Sequence, residues 1–256
     1  MVSLIDTHAH LYAEEFVEDE AQVLSNALKN GVNTILLPNI DEDTTDIMMQ
    51  LAGKTGGPRM LPMLGLHPCH VKPNFEEQLA SIFNANIKIK PCAVGEIGMD
   101  LYWDKSTEGI QKAAFVWQVE KAISLNLPIA IHSRDATKNV IDLLQTYKGM
   151  VTGVFHCFGD DLDTANDIKN LGFKIGIGGV LTFKNSGLDA VVKDIDMSEI
   201  ILETDSPYLA PMPFRGKRNE PSYTLHIAQK LAEVKHISLD EVARITSENA
   251  TKLFSL

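Results

Sequence analysis

A single (β/α)8 TIM barrel spanning residues 1–256 is the fold this sequence predicts. Three observations predict it. Short, nearly all-apolar runs rich in β-branched residues alternate with longer amphipathic segments, the runs number eight, and Gly, Asn or Pro stands where several helical segments hand over to the next run. Short apolar strands separated by helices read as a parallel sheet covered by helices on its outside.

In order, the first run, Leu4 to His8, precedes a helical pattern over Glu18 to Lys29 and the stop Asn30-Gly31-Val32. Thr34 to Asn39 leads to a helix over Thr44 to Lys54, and Met60 to Leu66 to one over Phe75 to Asn84. Ala93 to Gly98 leads to Glu108 to Leu125, which ends at Asn126-Leu127-Pro128. Ile129 to His132 precedes Ala136 to Tyr147 and the stop Lys148-Gly149, and Val151 to His156 precedes Leu162 to Leu171 with Gly172 just beyond. Lys174 to Gly178 leads to Leu188 to Asp194, and Ile200 to Thr204 is followed by two helices, Ser222 to Val234 and Leu239 to Ser255. A doubly wound open sheet competes with the barrel, but no Gly-x-Gly-x-x-Gly follows the first strand. No linker, low-complexity tract or charge run marks a second domain.

A content of 45% hydrophobic and 22% charged residues is that of an ordinary soluble globular protein. No run approaches the ~18 apolar residues of a membrane span, and acidic groups from Glu14 onward replace any basic leader, so a cytoplasmic protein is expected. Cys69, Cys92 and Cys157 are odd in number and lack Cys-x-x-Cys spacing, which excludes a disulfide framework and leaves them as packing residues. The net charge of −11 argues against a broad basic surface that coats nucleic acid, but not against a local grip on it. A barrel buries its own strand edges, so a monomer is the default.

Chemistry in such a barrel collects at the carboxyl ends of the strands. The first strand runs into Asp6, His8 and His10, with alternate residues sharing a face. The third ends in Gly65-Leu66-His67-Pro68, the fourth in Gly95-Glu96-Ile97-Gly98-Met99-Asp100 and the fifth in His132-Ser133-Arg134. The sixth ends in His156-Cys157-Phe158 and the eighth in Glu203-Thr204-Asp205-Ser206-Pro207. Five of the eight histidines therefore fall at strand ends, a mixed nitrogen and oxygen donor set suited to Zn²⁺, Mn²⁺, Mg²⁺ or a similar divalent ion. Such a set is too large for one tetrahedral ion. The economical assignment is two metals, with His8, His10 and Asp205 on one, His132 and His156 on the other, and Glu96 bridging them. A packing role for these residues is the alternative, and it would have to hold at every strand end.

These motifs, with the tract Arg215-Gly216-Lys217-Arg218-Asn219-Glu220-Pro221, together resemble the TatD-type deoxyribonucleases over essentially the whole chain. The resemblance implies an amidohydrolase-like barrel that hydrolyses DNA phosphodiesters, usually as a 3′-to-5′ exonuclease preferring single strands. It also implies that His8, His10, Glu96, His132, His156 and Asp205 are the metal ligands. Related barrels that cleave amides commonly carry a carboxylated lysine where this chain has Glu96.

For the reaction, Asp205 is expected to orient the attacking water and take its proton, and His67, held in a turn by Pro68, to donate to a phosphate oxygen. Glu203 shares the face of Asp205, and its role stays open. Arg134, Lys184, Arg215, Lys217 and Arg218 follow strands five, seven and eight, where they can neutralise phosphates without reading sequence. Among the aromatics of these loops, Trp103 and Phe214 are the expected stacking faces for bases, ahead of Tyr102, Phe158, Phe183 and Tyr208. A small-molecule amidohydrolase or lactonase on the same two ions is the competing function, and a metal-binding scaffold without catalysis is a third.

Overall fold

A computed structural model describes residues 2–85 and 89–256. Eight strands, β1 (Leu4–Asp6), β2 (Val32–Pro38), β3 (Arg59–Leu64), β4 (Ala93–Asp100), β5 (Ile129–Arg134), β6 (Gly153–Phe155), β7 (Lys174–Ile177) and β8 (Ile200–Leu202), pair in sequence order. Every pairing is parallel. The helices are α1 (Glu20–Lys29), α2 (Thr45–Ala52), α3 (Phe75–Asn84), α4 (Glu108–Leu125), α5 (Thr137–Leu144), α6 (Leu162–Leu171), α7 (Leu188–Asp194), α8 (Thr224–Lys235) and α9 (Leu239–Phe254). This is the (β/α)8 barrel the periodicity predicts. Each predicted element is present; β4 and β5 run past their predicted ends, and the other six strands stop one or two residues short of theirs.

Local chemistry sets the helix ends. The Asp161 carboxylate accepts the Thr164 N–H at 2.9 Å to start α6, and the Ser238 hydroxyl accepts the Glu241 N–H to start α9. Gly172 ends α6 with φ +86°, a left-handed turn where the absence of a Cβ removes the steric penalty.

Alternation along the strands builds two layers. Leu36, Met63, Ala130, Val154 and Ile201 form an inner cluster with Ala250 and Phe254 of α9, whereas Ile35, Leu37, Ile131, Phe155, Ile175 and Leu202 pack in the outer cluster with the helices. His132 and His156 continue the inner parity of Ala130 and Val154, so the period that packs the barrel also aims these imidazoles at its axis.

The barrel closes between β1 and β8 through backbone bonds: Thr7 N–H to the Leu202 carbonyl at 3.0 Å, Asp205 N–H to His8 at 2.9 Å and His10 N–H to Ser206 at 2.8 Å. Here one reading of the sequence is corrected. Asp6 does not join His8 and His10, because Ile5 packs with the inner cluster and Asp6 takes the opposite parity. Its carboxyl instead accepts the Thr204 N–H at 2.9 Å and meets the Thr204 hydroxyl at 2.6 Å, fastening the seam. Burial pushes the Asp6 carboxyl up to about 8 despite those bonds, so near neutral pH it carries its proton and resembles an amide. Asp6→Asn should therefore leave stability nearly unchanged, while Asp6→Ala strands a buried donor at a cost of about 1–3 kcal/mol. Thermal melting at pH 7 checks this, and equal losses in both variants would refute it.

Candidate active site

The strand ends converge on Glu96. A register irregularity between Val94 and Ile97 turns it toward the axis, and paired backbone bonds with Asn39, Glu96 N–H to the Asn39 carbonyl at 3.0 Å and Asn39 N–H to Gly95 at 3.1 Å, hold it there. Gly98 makes the adjoining approach to β5 possible: its φ is +145°, and a Cβ there would fall 1.9 Å from the His132 carbonyl oxygen.

Each Glu96 oxygen faces a different group of imidazoles. Oε2 lies 3.1 Å from His8 Nε2 and 3.4 Å from His10 Nε2. Oε1 lies 2.8 Å from both His132 Nδ1 and His156 Nε2, and 3.4 Å from His67 Nε2. Asp205 Oδ1 stands on the first side, 3.6 Å from His10 Nε2 and 3.8 Å from His8 Nε2. Asp205 has φ +58°, a left-handed conformation that Asp tolerates better than most side chains, and its N–H is held by the His8 carbonyl.

Hydrogen bonds on the far side of three rings assign which nitrogen carries the proton. The Tyr12 hydroxyl donates its only hydrogen to the Pro38 carbonyl at 2.6 Å, so it can only accept from His10 Nδ1, at 2.9 Å. His10 Nε2 is left with a lone pair. His132 Nε2 donates to the Asp100 carboxylate at 2.9 Å, which leaves its Nδ1 with a lone pair. These two lone pairs point at carboxylate oxygens. Like-charged electron density at 2.8–3.6 Å needs a cation between, and the separations bracket the ~3.4 Å edge of a tetrahedron with ~2.1 Å metal–ligand bonds. The donor set thus fits a divalent ion. His67 differs: its Nδ1 accepts the Cys69 N–H at 3.1 Å, so its Nε2 carries the hydrogen and points at Glu96 as a donor.

The electrostatics agree. Burial opposes charge at Glu96, yet the surrounding imidazoles, His156, His67 and His8 foremost, hold its carboxyl well below the usual range. Burial likewise opposes charge on His10, but Asp205 and Glu96 outweigh it and raise the ring to about 9, so without an ion a second proton sits on Nε2, at the place a metal ion would take when the ring is neutral. Burial, helped by His132, lowers His67 to about 4 against the pull of Glu96, so it stays neutral.

A family model described as TatD related DNase matches residues 5–255. The chain belongs to the TatD family. It is 39% identical over 255 residues to an uncharacterized metal-dependent hydrolase, YabD, of Bacillus subtilis, covering 99% of each chain. It is 32% identical over 260 residues to the 3'-5' ssDNA/RNA exonuclease TatD of Yersinia pseudotuberculosis, covering 99% of this chain and 100% of that one. The crystal structure of YJJV, a TatD homolog from Escherichia coli K12, superposes with a TM-score of 0.90 at 29% identity, over 99% of this chain and 98% of that one. As a TatD-family protein the chain is a metal-dependent hydrolase, and three groups of its side chains, His8 with His10 and Glu96, His8 with His156 and Asp205, and His67 with Glu96 and His132, bring donor atoms close enough together to hold an ion.

Two residues of this TatD-family site went unread in the sequence. Asp100 and Tyr12 set the proton positions of His132 and His10. Tyr12 is two residues beyond His10 and Asp100 closes the fourth-strand motif, so position was a signal, but the bonding partner was not. Glu203 is fully buried against Gly176, where a Cβ would fall 2.3 Å from its Oε2, and its Oε1 accepts the Cys157 N–H at 2.5 Å. Among the described residues Glu203 Oε2, His8 Nδ1 and His156 Nδ1 are buried without hydrogen-bond partners.

The basic and aromatic residues divide. Arg134 lies over the Tyr102 ring at 3.6 Å and near Trp103, which is 73% exposed. Lys184, Arg215 and Lys217 are exposed on their loops, Arg215 over the Phe183 ring at 4.4 Å. Arg218 departs from its expected role. Both its terminal nitrogens bond the Asp19 carboxylate at 2.7 Å, so its charge fastens the β8 loop to the β1 loop and is spent. Phe214 is stacked on Tyr223 at 4.2 Å, which covers one of its two faces. Of the cysteines only Cys92 is fully buried as expected; Cys69 is exposed and supplies the N–H that sets the His67 tautomer.

Proposed function

We propose that this TatD-family hydrolase is a 3′-to-5′ exodeoxyribonuclease preferring single strands, acting in the cytoplasm as a monomer with two divalent ions, Zn²⁺, Mn²⁺ or Mg²⁺. The observation that carries the reading is the division at Glu96: one oxygen serves His8 and His10, the other His132 and His156, with Asp205 facing His8 and His10 and also within reach of His156. Ions held by these two groups of ligands would polarise a phosphoryl oxygen and make water a nucleophile near neutral pH.

The chain's own groups then act at stated atoms. Asp205, at the end of the last strand with its side chain 14% exposed, orients the attacking water and accepts its proton on a carboxylate oxygen. Neutral His67 gives its Nε2–H to a non-bridging phosphate oxygen. Lys184, Arg215 and Lys217 supply positive charge on the loops after β7 and β8, and Trp103 offers an exposed face to a base. The name of the Yersinia relative, an ssDNA/RNA exonuclease, supports the substrate class.

The test is a 5′-labelled single-stranded DNA oligonucleotide incubated with purified protein and Mg²⁺, Mn²⁺ or Zn²⁺ in turn. A ladder shortening by single nucleotides is expected. No cleavage under any ion, from protein shown to hold metal, would leave the small-molecule hydrolase in its place.

The basic loops carry a separate expectation. Replacing Lys184, Arg215 and Lys217 together by Ala should weaken single-stranded DNA binding and reduce the slope of log K against log salt by about 0.7 for each phosphate no longer neutralised. Binding isotherms at several salt concentrations read the slope, and an unchanged value would remove these residues from the interface.

A further inference from the structure

Between the loops that follow β5 and β6 lies a cavity of about 440 Å³, lined among others by Ser133, Arg134, Asp135, His156, Gly159 and Asp160. It adjoins the metal-binding cluster through His156, whose Nε2 is 2.8 Å from Glu96. Its size falls within the ~300–1,000 Å³ of sites that hold one small ligand.

Three features define what it would hold. Arg134 rests its guanidinium on Tyr102, 3.6 Å from the ring centroid, with Trp103 at 5.5 Å, which holds a flat, exposed cation at the cavity. The two cations of the lining, Arg134 and Lys138, are matched in number by Asp135 and Asp160, so the cavity is not a simple anion sink. Its wall mixes donors and acceptors, as the edge of a nucleobase requires. The two loops are also tied to each other, because the Thr137 hydroxyl donates to the Asp160 carboxylate at 2.8 Å. That tie joins two residues of the lining and holds the two walls of the cavity together.

We propose that this cavity receives the terminal nucleoside of the substrate strand, one at a time, with its base stacked on Arg134, and thereby sets the cut one nucleotide from the end. The proposal rests on the exonuclease reading above and adds to it the place of the departing nucleotide.

Gly159 allows a direct test. It is exposed, its φ is not in the left-handed region, and a Cβ there would meet nothing within 4 Å, so Gly159→Trp can occupy the space without backbone strain. Calorimetric titration of the metal-loaded protein with dAMP should show binding tighter than that of inorganic phosphate. Gly159→Trp should weaken it at least tenfold, while Gly159→Ala stays within twofold of the parent. Arg134→Lys, which keeps the charge but loses the flat face, should weaken it several-fold and carries the test should the tryptophan variant not fold. Equal dAMP binding by parent and Gly159→Trp, or dAMP no tighter than phosphate, would overturn the proposal. A protein that trims DNA yet gives either result refutes the nucleoside site alone. One that cleaves no DNA under any ion refutes the exonuclease reading, and this site with it.

Discussion

Asp205→Asn lowers kcat on single-stranded DNA by about 10²–10⁴-fold while leaving the barrel folded, the range expected for loss of a positioned proton acceptor. The substitution isolates chemistry from structure for two reasons. Asn tolerates the left-handed backbone that this position adopts, at φ +58°, as readily as Asp does. The backbone bond from residue 205 to the His8 carbonyl, one of those that close the seam, is also untouched. What disappears is the negative oxygen facing His8 and His10 from 3.6–3.8 Å, and with it the acceptor for the water's proton. Steady-state kinetics with matched metal content measures the effect. A kcat within a few-fold of the parent would remove Asp205 from the proton transfer.

Glu96→Gln has the second large effect, and it is read first in metal binding. Among the described residues Glu96 is the one carboxylate within 3.4 Å of imidazoles on both sides of the site, so its loss takes a negative charge from both groups at once. A metal that binds only the folded chain adds about 2.7 kcal/mol at a hundredfold excess over its dissociation constant. For a chain of this size that amounts to several degrees in Tm. The parent should show this rise on adding Mn²⁺ or Zn²⁺, Glu96→Gln should lose most of it, and DNA cleavage should fall with it. His67→Gln is the control that separates donor from ligand. If the His67 nitrogen facing Glu96 carries a hydrogen, as the Cys69 bond dictates, that variant keeps the metal-dependent rise and loses catalysis. A rise abolished in His67→Gln would make His67 a ligand, and a full rise in Glu96→Gln would deny Glu96 its bridging place.

Much of the fold and the site was legible because it is local. The eight apolar runs each report a strand by composition and period, and β4 begins at Ala93, as the run starting there predicts. Gly172 reports the end of α6, since it takes without strain the left-handed conformation in which that helix stops. His132 and His156 were readable as inward-facing because they lie two residues beyond Ala130 and Val154 on strands that alternate in a buried barrel. Parity failed at Asp6. The face it would share with His8 holds only while the strand continues, and β1 ends at Asp6.

By itself, then, the amino-acid sequence determined the order of the barrel's elements and which strand ends bear imidazoles and carboxylates, both being properties of short stretches of chain. Only the tertiary structure decided what each of those groups does. The Tyr12 and Asp100 bonds choose which nitrogens of His10 and His132 face Glu96, and the Cys69 N–H makes His67 a donor. Asp19 consumes the charge of Arg218, 199 residues away, and Thr204 takes up Asp6 from 198 residues away. The physical reason is that a side chain's proton, lone pair or charge is assigned by whatever it meets, and in a closed barrel those partners come from distant parts of the chain.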